Sequence, residues 1–363
     1  MARRTAHRLV AAVVVGALAL APLTPALAAT DPGLGERLGR LTGEGGVAGA
    51  LARTSDGVTV VSGTAERGTG RPMVGADARF RVGSLSKPVI AVTVMRLVER
   101  GEIKLGAPVE RYLPEVLRGQ GAGAAIDGRK ITVRDLLRHT SGLPDFSEAV
   151  DWSKLPQDYL KVALGLKPTP VGRFAYSNTN YLVLGKIIHA VTGEDFRQVS
   201  RELVIKPLRM RDTYWPRRGE MGIRGEHAHT YGVSPADPEG GVVDLTRLPG
   251  YEFGASGGLV STPDDLNRFW RGMPAKTLRA MTADAVRVGE PGWPAKARYG
   301  LGVAQARLSC GEVWMHGGDV PGVSVLSGRT RAGRAATVYV TGSAATQRQR
   351  ERLLDTFDTA MCG

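Results

Sequence analysis

Pro88 constrains this chain more than any other single residue. It stands in GSLSKPVIAVTVMRLVERG (residues 83–101), directly before an apolar run at helical spacing that stops at Gly101. A proline inside a helix removes a hydrogen bond and clashes with the preceding turn unless it lies in the first turn. The helix must therefore begin within a few residues before Pro88. That places Ser84 at or beside the helix N-terminus and Lys87 about one turn along, on the same face. Gly83 lets the chain turn tightly into the helix.

This placement has chemical use. A serine hydroxyl is a poor nucleophile until something takes its proton. A lysine one turn away can do so if burial and the positive end of the helix dipole lower its pKa. The Ser84 backbone N–H would then point outward as half of an oxyanion hole. A Ser-x-x-Lys spacing also arises by chance in a chain of this size. Here it is the only such spacing among sixteen serines, and it opens a helix behind a glycine.

Two further stretches carry polar groups beside apolar elements. Tyr176-Ser177-Asn178 lies in RFAYSNTNYLVLG, a polar loop before an apolar helix. A tyrosine there can relay a proton, and an asparagine amide can hold both a substrate carbonyl and the lysine; a helix cap with a packed aromatic is the plainer reading. His316-Gly317-Gly318 ends a strand-like EVWMH. Two glycines let a substrate backbone approach a strand edge closely. A lone strand histidine is more often simply packed. Gly254-Ala255-Ser256-Gly257-Gly258 formally matches G-x-S-x-G, but that motif needs a buried strand before it, and LTRLPGYEF makes a poor one.

Organisation follows from the periodicities. Residues 34–43 read as a short amphipathic helix, and 47–53 and 58–65 flank a Ser55-Asp56-Gly57 turn as a hairpin. Helices are expected at 88–100, at 131–138 with Thr132 as cap, at 180–192 and at 194–205. Residues 217–250 read as an irregular excursion. Strands are expected at 298–307, 312–316, 322–328 and 335–341, with a closing helix at 346–360. Early and late strands around a helical middle predict one sheet built from both ends of the chain. The expected division is a signal peptide at 1–28 and a single catalytic domain at 29–363. Within that domain a mixed lobe covers about 31–83 and 251–363, and a helical lobe about 88–250.

The first residues are read as a leader rather than as fold. Arg3, Arg4 and Arg8 precede an apolar stretch at 9–20, and Ala26-Leu27-Ala28 supplies a small-x-small cleavage pattern. Twelve apolar residues are too few for the ~20 that span a bilayer, so cleavage near Ala28 and a secreted, extracytoplasmic chain without a stable membrane anchor are expected. Two cysteines, Cys310 and Cys362, then suggest one bridge pinning the C-terminus. The formal net charge of +13 comes from basic residues interleaved with acidic ones. No basic run, zinc pattern or RNP pattern points to nucleic acid. His227 and His229 form an isolated His-x-His without ligand spacing around it, so no metal is expected.

Taken together, FRVGSLSK, ITVRDLLRHTSGLP, YSNTNYLVLG, SGGLVSTPDDLNRF and MHGGDVPG resemble the serine penicillin-recognising family of class C β-lactamases, D-Ala-D-Ala carboxypeptidases and related esterases and D-peptidases. The resemblance covers essentially residues 29–363, and the late cysteine pair is similar to that of the exported carboxypeptidase branch. It implies an α+β fold, an antiparallel sheet flanked by helices with an all-helical lobe and the site in the cleft between them. It implies Ser84 as acylated nucleophile, Lys87 as general base, Tyr176 as proton relay and Asn178 as substrate-orienting amide. It also implies His316, Gly317 and Gly318 as substrate-binding wall, the Ser84 and Asp319 N–H groups as oxyanion hole, and no cofactor. The substrates implied are peptidoglycan stem peptides or small acyl compounds, with β-lactams as inhibitors or substrates. A class C-type β-lactamase, an esterase or D-amino acid amidase, and a penicillin-binding sensor without turnover are alternatives to the carboxypeptidase. One departure bears on this choice. Gly317 and Asp319 stand where the carboxypeptidase branch places threonines that hold a terminal carboxylate, and Arg307 is three positions from where its arginine is expected.

Overall fold

The computed structural model describes residues 32–43 and 46–363; the leader expected at 1–28 lies outside the described residues. The longest sheet has eight strands. In chain order they are β1 (Gly49–Thr54), β2 (Thr59–Gly63), β3 (Val286–Arg287), β4 (Arg298–Tyr299), β5 (Ala304–Leu308), β6 (Gly311–Val320), β7 (Val323–Thr330) and β8 (Ala335–Val340). Their spatial order is β2-β1-β8-β7-β6-β5-β4-β3, with every neighbouring pair antiparallel. The register Leu51↔Tyr339 joins the two ends of the chain inside the sheet, one strand in from its β2 edge. The sheet built from both termini is therefore present.

Alternation along the strands sorts the core into two layers. On one face Ala50, Ala52, Ala336, Val338 and Val340 pack under two helices, α1 (Pro32–Gly43) and the closing Gln347–Cys362, through Leu34, Leu38, Leu41, Leu353 and Phe357. On the other face Leu51, Tyr339, Trp314 and Val325 meet the helical part of the chain. The helices there are α2 (Ser86–Glu99), α3 (Val133–Arg138), α4 (Thr179–Thr192) and α5 (Pro263–Gly272); the closing helix Gln347–Cys362 is called α6 below. Val89, Ile90, Val94 and Leu97 of α2 are buried within a few per cent of full exclusion, each side chain contributing about 1.5–3 kcal/mol.

Local signals account for the helix ends. Thr132 accepts from the Asp135 N–H while the Asp135 carboxylate accepts from the Thr132 N–H, a reciprocal cap. Three expectations are refined. The strand expected at 298–307 is two, β4 and β5, because Gly302 sits at φ +76° and a Cβ there would lie 2.3 Å from the Ala91 Cβ. The helix expected at 194–205 is Phe196–Ser200 continued by a π-helical turn, Arg201–Ile205. The excursion at 217–250 carries a two-stranded hairpin, Tyr231–Val233 against Val242–Asp244. The cysteines are joined, Cys310 in the β5–β6 turn to Cys362 at the end of α6, with Cα atoms 5.3 Å apart.

Candidate active site

A single 3₁₀ turn, Gly83–Leu85, precedes α2, whose first residues are Ser86, Lys87 and Pro88. Pro88 thus lies in the first turn, where its missing N–H costs nothing. Lys87 is completely buried. Its Nζ lies 2.9 Å from the Ser84 Oγ, 2.7 Å from the Asn178 Oδ1 and 2.8 Å from the Ser256 carbonyl. It also sits 4.9 Å from the centre of the Tyr176 ring, and the Tyr176 hydroxyl is within hydrogen-bonding reach of Ser84.

Burial lowers the Lys87 pKa from 10.5 to about 7, against an opposing pull from Asp145. The partner set then fixes what a neutral amine does. The Asn178 Nδ2 donates to the Asp145 carboxylate at 2.9 Å, so the Asn178 oxygen must face the lysine. That oxygen and the Ser256 carbonyl only accept. A neutral amine therefore spends its two hydrogens on them and turns its lone pair toward the one neighbour able to donate, the Ser84 hydroxyl. Burial also holds the Tyr176 hydroxyl well above its ordinary pKa, so it stays protonated and available as a donor.

Strand β6 supplies the opposite wall. Its pairing with β5 ends at Met315↔Ala304, so residues 316–320 have no strand on that side. The turn carrying Ser84 packs there instead. Gly83 adopts φ +54°, and a Cβ on it would lie 2.7 Å from the Asp319 oxygen and 2.9 Å from the Asp319 nitrogen. A Cβ on Gly318 would lie 2.0 Å from the Val82 carbonyl oxygen. Only glycines permit this approach, which sets the backbone amides of Ser84 and Asp319 beside each other. Gly317 has more room, with Leu326 3.3 Å from its virtual Cβ.

His316 is buried and lies in the same wall. Its Nδ1 bonds the Gly317 carbonyl at 2.5 Å and so carries the hydrogen; its Nε2, 2.9 Å from the Tyr299 oxygen, accepts. Burial and the nearby Lys87 lower its pKa to about 3. Both ring nitrogens are engaged within the protein, so the ring presents a neutral surface. Arg307 is exposed and faces Glu312 at the far end of β6, away from the site.

Several contributors had no assigned part in the sequence reading. Asp145 follows HTSGLP directly but belongs to no periodic pattern. It caps the Phe146–Glu148 turn and orients Asn178. His139, at φ +57° after α3, is buried and stacks 4.2 Å from the Tyr176 ring, its Nδ1 accepting from the Ser177 N–H. Glu290 accepts from the Tyr176 N–H at 2.9 Å. Ser256 takes part through its carbonyl. Its hydroxyl donates to the Phe253 oxygen inside a four-residue helical turn with no strand before it, which rules out a strand–turn–helix nucleophile at this position. His227 and His229 lie elsewhere, with His229 paired to Asp244; no cluster fit to hold a metal ion occurs among the described residues.

These groups open into a cavity of about 710 Å³ that Ser84, Tyr176, Asn178, His316, Gly317 and Asp319 line together. A family model described as Beta-lactamase matches residues 34–360. The chain belongs to this family. Among curated proteins similar to this chain, esterase EstB of Burkholderia gladioli is 30% identical over 282 residues, covering 68% of this chain and 71% of its own. The putative penicillin-binding protein PbpX of Bacillus subtilis is 28% identical over 267 residues, covering 71% of this chain and 61% of its own, so the match spans under two thirds of that relative. A D-stereospecific amidohydrolase from Streptomyces sp. superposes with a TM-score of 0.77 at 31% identity, covering 92% of this chain and 99% of that one. The fold of the protein is thus that of the beta-lactamase family. Among its described residues no helix is long and apolar enough to cross a membrane.

Proposed function

We propose that the protein is an acyl-enzyme amidohydrolase with esterase capacity, acting on acyl groups of D-amino acid type. Ser84 is the nucleophile and Lys87 its general base. The Ser84 proton passes to the Lys87 amine as the Oγ–C bond forms, and the oxyanion rests on the Ser84 and Asp319 amides. Tyr176 hands a proton to the leaving amine or alcohol as its bond to carbon breaks, and is reprotonated from Lys87. Water then attacks the acyl-enzyme by the same relay in reverse. Asn178 orients the acyl carbonyl, and Gly317 and Gly318 admit the substrate backbone to the free edge of β6. The observation that carries this reading is the buried amine at Lys87, whose one partner able to donate, among the described residues, is the Ser84 hydroxyl.

Charge separates amide from carboxypeptidase chemistry. The cavity beside Tyr176 is lined by Glu290, Asp319 and Glu351 against a single cation, Arg350. A leaving group bearing a free carboxylate meets net repulsion there, whereas a neutral amine, ammonia or an alcohol does not. The amidohydrolase and esterase likenesses support the same choice. A D-Ala-D-Ala carboxypeptidase acting on cell-wall stem peptides is the second reading, favoured by Arg350 itself, which reaches the Ser84 cavity and can meet a terminal carboxylate. β-Lactams are expected to acylate Ser84 under either reading. The basic and apolar leader and the Cys310–Cys362 bridge support action outside the cytoplasm.

A panel of a D-amino acid amide, a p-nitrophenyl ester, a D-Ala-D-Ala tripeptide and nitrocefin tests the choice. We expect the amide and the ester to turn over at least tenfold faster in kcat/KM than the tripeptide, and all turnover to vanish in Ser84→Ala. Preferred cleavage of the tripeptide would reverse the order of the two readings. Acylation by a fluorescent penicillin with no turnover of any substrate would identify a sensor instead.

A further inference from the structure

Ser84 stands on the partition between two recesses. The first is the charged cavity described above. The second, of about 500 Å³, shares Ser84, Asn178, Asp319, Ala344 and Arg350 with it and continues away from Tyr176. Its remaining wall is built largely from Phe146, Trp152, Val233, Phe253, Val320 and Pro321.

The reaction assigns the two sides. A general acid must reach the atom that departs, so the leaving group lies on the side of the acid. Tyr176 lines the first recess and not the second. The part of the substrate that stays bound to Ser84 therefore extends into the second. The chemistry of that recess is distinct: its charged residues are Asp319 and Arg350, both on the shared partition, and beyond them come three aromatic rings. Trp152 and Phe253 face each other with ring centres 6.1 Å apart at 49°. Phe146 is buried and fixed by Tyr159 at 5.0 Å. Trp152 and Phe253 are each only half-buried, so both rings retain surface to cover. An alanyl methyl leaves such a recess almost empty, whereas an aromatic side chain can lie against the exposed surfaces of this ring pair at tilted, offset geometry.

We propose that this recess is the acyl-side specificity pocket and that Trp152 and Phe253 select substrates whose acyl group carries a bulky aromatic side chain. The inference rests on the acyl-enzyme reading of Ser84 and narrows its substrate class from D-amino acyl compounds in general to aromatic ones.

p-Nitrophenyl phenylacetate and p-nitrophenyl acetate share a leaving group and differ only in the acyl portion, benzyl against methyl. Each kcat/KM is divided by that ester's own rate of alkaline hydrolysis, which removes intrinsic reactivity. We expect the corrected ratio to favour phenylacetate at least tenfold, and to fall below about threefold in Phe253→Ala and in Trp152→Ala. Phe253→Tyr, which keeps the ring, should retain the preference, and thermal melts identify any variant that has lost its fold. A corrected ratio near one in the wild-type protein overturns the inference while Ser84-dependent turnover of both esters leaves the proposed function standing. Turnover that survives Ser84→Ala overturns both.

Discussion

Replacing Lys87 by methionine keeps the length of the side chain and deletes the buried amine. It isolates the free energy of placing that amine at the start of α2. The lysine's pKa falls from 10.5 to about 7 through burial, a preference for the neutral amine of about 5 kcal/mol at about 1.4 kcal/mol per pKa unit. The sign follows from proton counts. Between pH 7 and 10.5 the unfolded chain holds the Lys87 proton and the folded chain does not, so folding stability rises with pH across this window. Below pH 7 both states are protonated and the full penalty of the buried charge is present. The variant has no such term, and the unpaired Asn178 and Ser256 oxygens it leaves behind cost the same at every pH. Urea unfolding of both proteins from pH 6 to 9 should therefore give a difference curve that is flat below 7. Above that it should climb in favour of the wild type by about 2–3 kcal/mol by pH 9. The acid limb of wild-type kcat/KM should fall at the same pH. A difference curve that stays level between pH 7 and 9, or slopes the other way, would falsify the assignment of Lys87 as a buried neutral amine and remove the base from the proposed mechanism.

Asp145→Asn removes the carboxylate that raises the Lys87 pKa; the acid limb of kcat/KM should move to lower pH by up to about one unit, read from a pH–rate profile beside the wild type. Replacing Cys310 and Cys362 together by serine opens a cross-link of sequence separation 52; chain entropy sets the loss at up to about 4 kcal/mol, read by urea unfolding in the absence of reductant.

The sequence carried the positions of Ser84, Lys87, Tyr176, Asn178 and the glycines of β6 because each is tied to a local rule. Pro88 fixes where a helix starts, the polar loop before α4 fixes Asn178, and a glycine pair marks a close approach of two backbones. Strand alternation likewise placed β1 and β8 in one sheet. What stayed hidden depends on tertiary placement. Asp145 matters because of the amide it turns, and nothing local distinguishes it from any other capping aspartate. Ser256 was visible only as a hydroxyl in G-x-S-x-G, whereas the fold uses its carbonyl. Glu290 and Arg350 lie far along the chain from the motifs and reach the cavity only once the sheet and α6 are assembled. The split of 298–307 into two strands was hidden for a related reason: Gly300 and Gly302 read as strand residues until the backbone of residues 281–282 and the Ala91 side chain of α2 press against them.

The pairing of β1 with β8 also bears on when the protein can form. Residues 49–54 emerge early in synthesis, yet their partner at 335–340 is almost the last stretch to be made. At about 5–20 residues per second, the ribosome needs roughly 15–70 s to deliver the whole chain. Until then β1 and β2 are a lone hairpin, which is marginal in water. The order of translation therefore leaves β1 without its inner sheet partner until synthesis is almost complete, and makes the final strand the step that closes the sheet.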